Sequence, residues 1–141
     1  MTQRSFDSVA VGDALPELSK VATREDIAAY AEASLDHNPL HLNDERARAR
    51  GFDGIIAHGM FTMAHLTTCI TEWAGDPAAL SHIRAGFRAA VRPGEKMIAS
   101  GKVVSLDPAS RRATLEVWVT VDRDGTIEHA IKRSCAVVLL A

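Results

Sequence analysis

Asp36-His37-Asn38-Pro39-Leu40-His41 sets a carboxylate and an imidazole five positions apart, with a proline between them. Both groups exchange protons readily, so together they can serve as general acid and base. On a continuous α-helix, five residues at about 100° each would turn Asp36 and His41 about 140° apart, onto nearly opposite faces. Pro39 breaks such a helix and lets the chain bend, so both side chains can address one site. Asn38 is short and polar, suited to tying the bend down through side-chain to backbone hydrogen bonds. After a short gap, Ala57-His58-Gly59-Met60 places a glycine at the start of a long apolar stretch. The first N–H groups of a helix have no intrahelical partner and sit at its positive end. A glycine there admits a ligand close to the backbone. A carbonyl that gains negative charge would be stabilised by the Gly59 N–H.

His37 and His41 also form an HxxxH spacing, which can bind zinc when both rings share one helical face. Pro39 stands between them and no HExxH glutamate accompanies them, so no metal site is expected. His58 could orient its loop or contact a ligand; an N-terminal helix residue bonded to backbone is the plainer reading. His65 is expected to pack between helix and sheet.

These residues need elements to hold them. Thr23 caps a helix over 24–35, with Glu25 and Asp26 in its first turn. Its face carries Ile27, Tyr30, Ala31 and Ser34, and the chain leaves the helix before Pro39. A short helix is expected over 44–50, then a loop at Gly51-Phe52-Asp53-Gly54. Residues 59–73 read as a largely buried helix, because Met60, Phe61, Met63, Ala64, Leu66, Cys69, Ile70 and Trp73 cover more than one narrow stripe. Gly75 and Asp76-Pro77 stop it. Strands are expected over 82–91, 96–106, 114–121 and 128–140, with a hairpin turn at Asp124-Gly125. Val11-Gly12-Asp13 and Leu15-Pro16-Glu17 read as an entry turn. One buried helix followed by an antiparallel meander predicts an α+β fold, a sheet wrapped around that helix.

The 141 residues suit one domain, 1–141, with a real core. Net charge is -2 with scattered basic residues, so no nucleic-acid footprint is present. No apolar run reaches the ~20 residues of a membrane span. Residues 1–13 lack the charged and apolar regions of a signal peptide. Cys69 and Cys135 lie far apart and outside any CxxC pattern, which predicts two buried free thiols and a reducing, cytoplasmic setting.

The joint pattern Asp36-x-Asn38-Pro39-x-His41 and Ala57-His58-Gly59-Met60 resembles the MaoC-like, or (R)-specific enoyl-thioester hydratase, family with its hot-dog fold. Phe87-Arg88-Ala89-Ala90-Val91-Arg92-Pro93-Gly94-Glu95 is similar to the family's strand-and-turn segment, and the resemblance runs from Phe6 to Leu140. Among relatives it looks closest to the small β-type subunit of actinobacterial 3-hydroxyacyl-thioester dehydratases. The resemblance implies that Asp36 and His41 activate one water, which adds to C3 of a trans-2-enoyl thioester while a proton reaches C2. It implies that the Gly59 N–H binds the thioester carbonyl. Run backwards, the site would dehydrate a (3R)-hydroxyacyl thioester. Asn38, His58, Met60 and Phe61 are the expected substrate contacts. No cofactor is implied beyond the coenzyme A or acyl carrier protein that bears the acyl group. A homodimer is implied, or a heterodimer with a related subunit. Family members often carry a serine one turn into the central helix, where this chain has Ala64. Arg88 and Arg92 could meet a carrier phosphate, though solvated strand charges are commoner. Two rival readings remain: a hot-dog thioesterase, which attacks the carbonyl carbon instead of C3, and a non-catalytic subunit of a heteromeric dehydratase.

Overall fold

The computed structural model describes residues 2–141. In chain order the regular elements are β1 (Leu18–Val21), α1 (Arg24–Ser34), α2 (Asp44–Ala49), α3 (Gly59–Ala74), β2 (Leu80–Arg84), β3 (Lys96–Asp107), β4 (Arg112–Arg123) and β5 (Thr126–Leu139). The strands form one antiparallel sheet in the order β1-β3-β4-β5-β2. The sheet curls around α3, which packs against β3, β4 and β5. This is the α+β hot-dog arrangement.

The alternation of β4 explains the packing. Ala113, Leu115, Val117, Val119 and Val121 are completely buried, while the residues between them are half-buried or exposed. They meet Leu66 and Ile70 of α3, both at 0 % exposure. Each such side chain contributes about 1.5–3 kcal/mol on burial. The helix is less enclosed than its composition predicts. Phe61, His65, Leu66, Cys69, Ile70 and Trp73 are buried, but Met60, Ala64, Thr68 and Glu72 form an exposed stripe at four-residue spacing. At the far end Asp124 and Gly125 both take positive φ, 52° and 86°, which matches the right-handed twist of the β4–β5 hairpin.

Two expectations for the strands need correction. The strand over 82–91 is instead β2, which ends at Arg84, followed by an extended segment with a single bridge between Phe87 and Ile131. The cause lies in β5. Its register against β4 shifts between Val117 and Val119, and Arg133 sits there at φ 52°. Such a bulge bends the strand and interrupts its ladder. Gly86 then donates its N–H to Ser134 Oγ at 2.8 Å, and the Arg88 and Ala89 N–H groups bond the carbonyls of Ala130 and His129. The second correction is β1, which follows the expected entry turn. It is a four-residue edge strand with no buried alternation, so it carries no period-2 signal; pairing with residues 96–99 creates it. The thiols also differ from expectation: Cys69 is buried, whereas Cys135 is only half-buried, and both are free. Burial pushes the Cys69 thiol up to about 11. No helix among the described residues is long and apolar enough to cross a membrane.

Candidate active site

α1 begins as expected: the Thr23 side chain accepts the Asp26 N–H at 3.0 Å. Leu35 closes the helix in the left-handed region at φ 61°, and the chain turns sharply into Asp36. Asp36 Oδ1 accepts the Asn38 N–H at 3.2 Å, and Asn38 Oδ1 accepts the Leu40 N–H at 3.1 Å. These short bonds carry the chain into a single 3-10 turn, Pro39–His41. The bend predicted at Pro39 is therefore built by two consecutive side-chain caps. Asn38 itself is exposed and its oxygen is committed to this turn, so its visible role is to shape the bend.

His41 is fixed from the other side. Its Nδ1 lies 2.7 Å from the Ile56 carbonyl, and Ile56 returns its N–H to the Leu40 carbonyl at 3.1 Å. A carbonyl only accepts, so Nδ1 carries the hydrogen and a neutral ring has its lone pair on Nε2. The 55–56 strand of chain is anchored by Asp44. Its Oδ1 takes the Ile55 N–H at 2.9 Å, and its carboxylate binds Arg24 of α1 at 2.7 Å. The Ile55 N–H and then the Arg24 guanidinium hold the Asp44 carboxyl below its ordinary value of 3.8.

One cavity of about 370 Å³ gathers these parts. Tyr30, Ser34, Asp36, His41, His58, Gly59, Met60 and Phe87 line it. A carboxylate oxygen of Asp36 and a ring nitrogen from each of His41 and His58 lie within 4.8 Å of one another. Gly59 is the first residue of α3, and among the described residues nothing accepts its N–H. A Cβ at this position would stand 3.2 Å from the Phe87 ring, so any side chain here would press that aromatic wall away from the helix start. Met60 is 55 % exposed at the cavity rim. Phe61 points elsewhere. It packs edge-on to Tyr30 at 5.7 Å and lines a neighbouring groove of about 540 Å³ with Ala64, His65 and Thr68.

His37 turns away to pair with Glu32 at 2.9 Å, so the HxxxH spacing brings no two rings together. Asp36, His41 and His58 form a cluster whose donor atoms lie close enough to share a cation. The His41 and His58 rings are stacked at 3.7 Å and 24°. His65 fills the structural place expected of it, with Nε2 on the Leu18 carbonyl at 2.8 Å. Arg92 pairs with Asp53 at 3.1 Å, while Arg88 donates to the Phe87 carbonyl. Arg123 bonds Glu95 and Glu128 at 2.7 and 2.6 Å and reaches the Ala90 carbonyl, pinning the segment after Phe87 to the β4–β5 hairpin. Sequence reasoning missed Tyr30, Ser34 and Phe87 as site residues. The one available signal was the helical spacing of Tyr30 and Ser34 just before Asp36; nothing local marks Phe87.

The model of the family described as "MaoC like domain" matches residues 8–125. An (R)-specific enoyl-CoA hydratase from Rhodospirillum rubrum is 30% identical over 124 residues, covering 87% of this chain and 85% of its own length. A mitochondrial 3-hydroxyacyl-(acyl-carrier-protein) dehydratase from Arabidopsis thaliana is 52% identical over 63 residues, covering 40% of this chain and 37% of its own length. A solved structure titled "MaoC-like dehydratase" superposes with a TM-score of 0.86 at 32% identity, covering 99% of this chain. The matched stretches span 43% of that solved chain and 37% of the Arabidopsis relative, less than half the length of each.

Proposed function

The chain belongs to the MaoC-like domain family, and from that premise we propose that it is a hydro-lyase acting on acyl thioesters. It adds water across the C2–C3 double bond of a trans-2-enoyl thioester and, in reverse, dehydrates a (3R)-hydroxyacyl thioester. The observation that carries this reading is the meeting, in one cavity, of Asp36, His41 and an uncommitted Gly59 N–H.

Asp36 and His41 are both proton acceptors when the carboxyl is ionised and the imidazole neutral. One water can donate a hydrogen to each. Two hydrogen bonds of ordinary length at the water angle span about 4.4 Å, comparable with the 4.8 Å within which polar atoms of Asp36, His41 and His58 gather. Held this way, the water turns its lone pair outward, toward C3 of a bound enoyl group. As the C3–O bond forms, one water proton passes to the pair. The C2=C3 electrons move toward the thioester carbonyl, whose oxygen becomes enolate-like. The Gly59 N–H at the positive end of α3 stabilises that charge. The pair then returns a proton to C2, so the elements of water are added and no external acid, oxidant or metal is consumed. The acyl group rides on coenzyme A or a carrier protein; Met60 at the rim and the groove beyond Tyr30 and Phe61 offer apolar surface for it.

The test is a hydration assay on trans-2-enoyl thioesters of several chain lengths, monitored by loss of enoyl absorbance, with free thiol measured in parallel. Wild-type protein should consume the enoyl group without releasing thiol. Asp36→Asn and His41→Ala should each lower the rate by about 10²–10⁴-fold, the usual cost of losing acid/base assistance, with unchanged circular dichroism. Thiol release without hydrated product would replace this reading with thioester hydrolysis.

A further inference from the structure

The ring of His58 has work that neither helix capping nor substrate contact explains. His58 occupies the N-cap position of α3, yet its side chain makes no cap hydrogen bond. It is 2 % exposed, too enclosed to offer much surface to a ligand. The ring instead reaches across to the turn before it, with Nε2 3.0 Å from the backbone carbonyl of Asp36. One face stacks on His41 at 3.7 Å, and the Tyr30 ring leans against it at 4.9 Å. A single buried side chain thus touches the backbone of one member of the acid/base pair and the ring of the other. Among the described residues, its Nδ1 is the one buried side-chain nitrogen or oxygen without a hydrogen-bond partner.

We infer that His58 is a positioning residue that locks Asp36 and His41 into one geometry, through its Nε2–H on the Asp36 carbonyl and its ring against His41. The inference rests on the hydratase reading for its kinetic consequence only; the geometry stands without it. The carbonyl of Asp36 can only accept, so Nε2 carries the hydrogen and Nδ1 of the neutral ring holds a lone pair. The groups facing this ring are the Asp36 carboxylate, the Tyr30 phenol and His41 itself. His58 offers His41 an aromatic face. When His41 takes the water proton, its cation lies over that face, a favourable cation–π contact. Because Asp36 is exposed and its turn rests on short side-chain caps, the His58 bond is the anchor that ties this turn to the start of α3.

The two functions separate by substitution. His58→Gln keeps an N–H donor and removes the ring. His58→Phe keeps an aromatic face and removes the donor. For both, kcat should fall on the order of 10²-fold, as a small misplacement of catalytic groups typically costs, while KM changes little. Nitrogen-15 NMR of ring-labelled protein reads the lock without any turnover. Wild type should show His41 as a single Nδ1–H tautomer, and His58→Gln should show exchange between tautomers. Melting curves identify a variant that fails to fold, in which case the other carries the test. Wild-type kcat and wild-type His41 signals in a folded variant would overturn the inference. An inactive wild type with a locked His41 that loosens in His58→Gln would overturn the hydratase reading and leave the inference standing.

Discussion

At the scale of single residues, the site depends on which atoms are already committed. His41 spends Nδ1 on Ile56, which leaves Nε2 for chemistry, and Asp36 spends one oxygen on its own turn. Gly59 matters for what it lacks. Its missing Cβ would lie 3.2 Å and 3.3 Å from two carbons of the Phe87 ring. Phe87 is 45 % exposed, so the ring can swing outward and the fold should tolerate a methyl group there. Gly59→Ala keeps the backbone N–H but sets a methyl group beside it, so it should melt close to wild type yet lose activity on the order of 10²-fold, as a small misplacement of bound substrate typically costs. Adding Phe87→Leu should restore part of that loss. A fully active Gly59→Ala would show that the helix start does not approach the substrate. That Asp36 and His41 address one cavity was readable from spacing because a proline between them breaks the helix and turns the backbone. The wall residue Phe87 was not, because its role comes from packing beside Gly59 at the start of α3, far away in sequence.

At the scale of elements, Asp44 is the joint between α1, α2 and the segment that holds His41. It binds Arg24 and the Ile55 N–H, and a Cβ on Gly54 would approach its Oδ1 to 2.9 Å. Its carboxyl is held below the ordinary value of 3.8 by the Ile55 N–H and then by Arg24. A carboxyl depressed in the folded state contributes stability that is present above its unfolded value and disappears as pH falls through the folded one. Asp44→Ala should therefore lower Tm at pH 7, and the gap from wild type should close as the pH drops below about 4, the unfolded carboxylate value. A gap that persists unchanged at pH 2 would mean that the charge is not what holds the joint. The long, strongly patterned elements were legible: α1, α3, β3, β4 and β5 all fall within two residues of their expected limits. The failures were β1 and the strand over 82–91, and both are edge segments whose state is set by a neighbour's register, not by their own alternation.

At the scale of the whole molecule, the sheet ends on two short strands, β1 and β2, of four and five residues. Open edges present unpaired backbone groups, and a second copy is the simplest cover for them. The segment carrying Phe87 continues directly from the β2 edge, so an edge pairing would also border the cavity. Sedimentation at assay concentration should give the mass of a dimer; a fully active monomer would rule this out. Sequence alone determined the core elements, the bend at Pro39 and the choice of Asp36 and His41 as the proposed proton-transferring pair, because each follows from local backbone chemistry or from the period of apolar residues. Only the tertiary structure decided that His58 touches both members of that pair, that Phe87 walls the site and that one stripe of α3 faces outward. Those facts depend on contacts between segments distant in sequence, which the bulge at Arg133 and the curl of the sheet around α3 bring together.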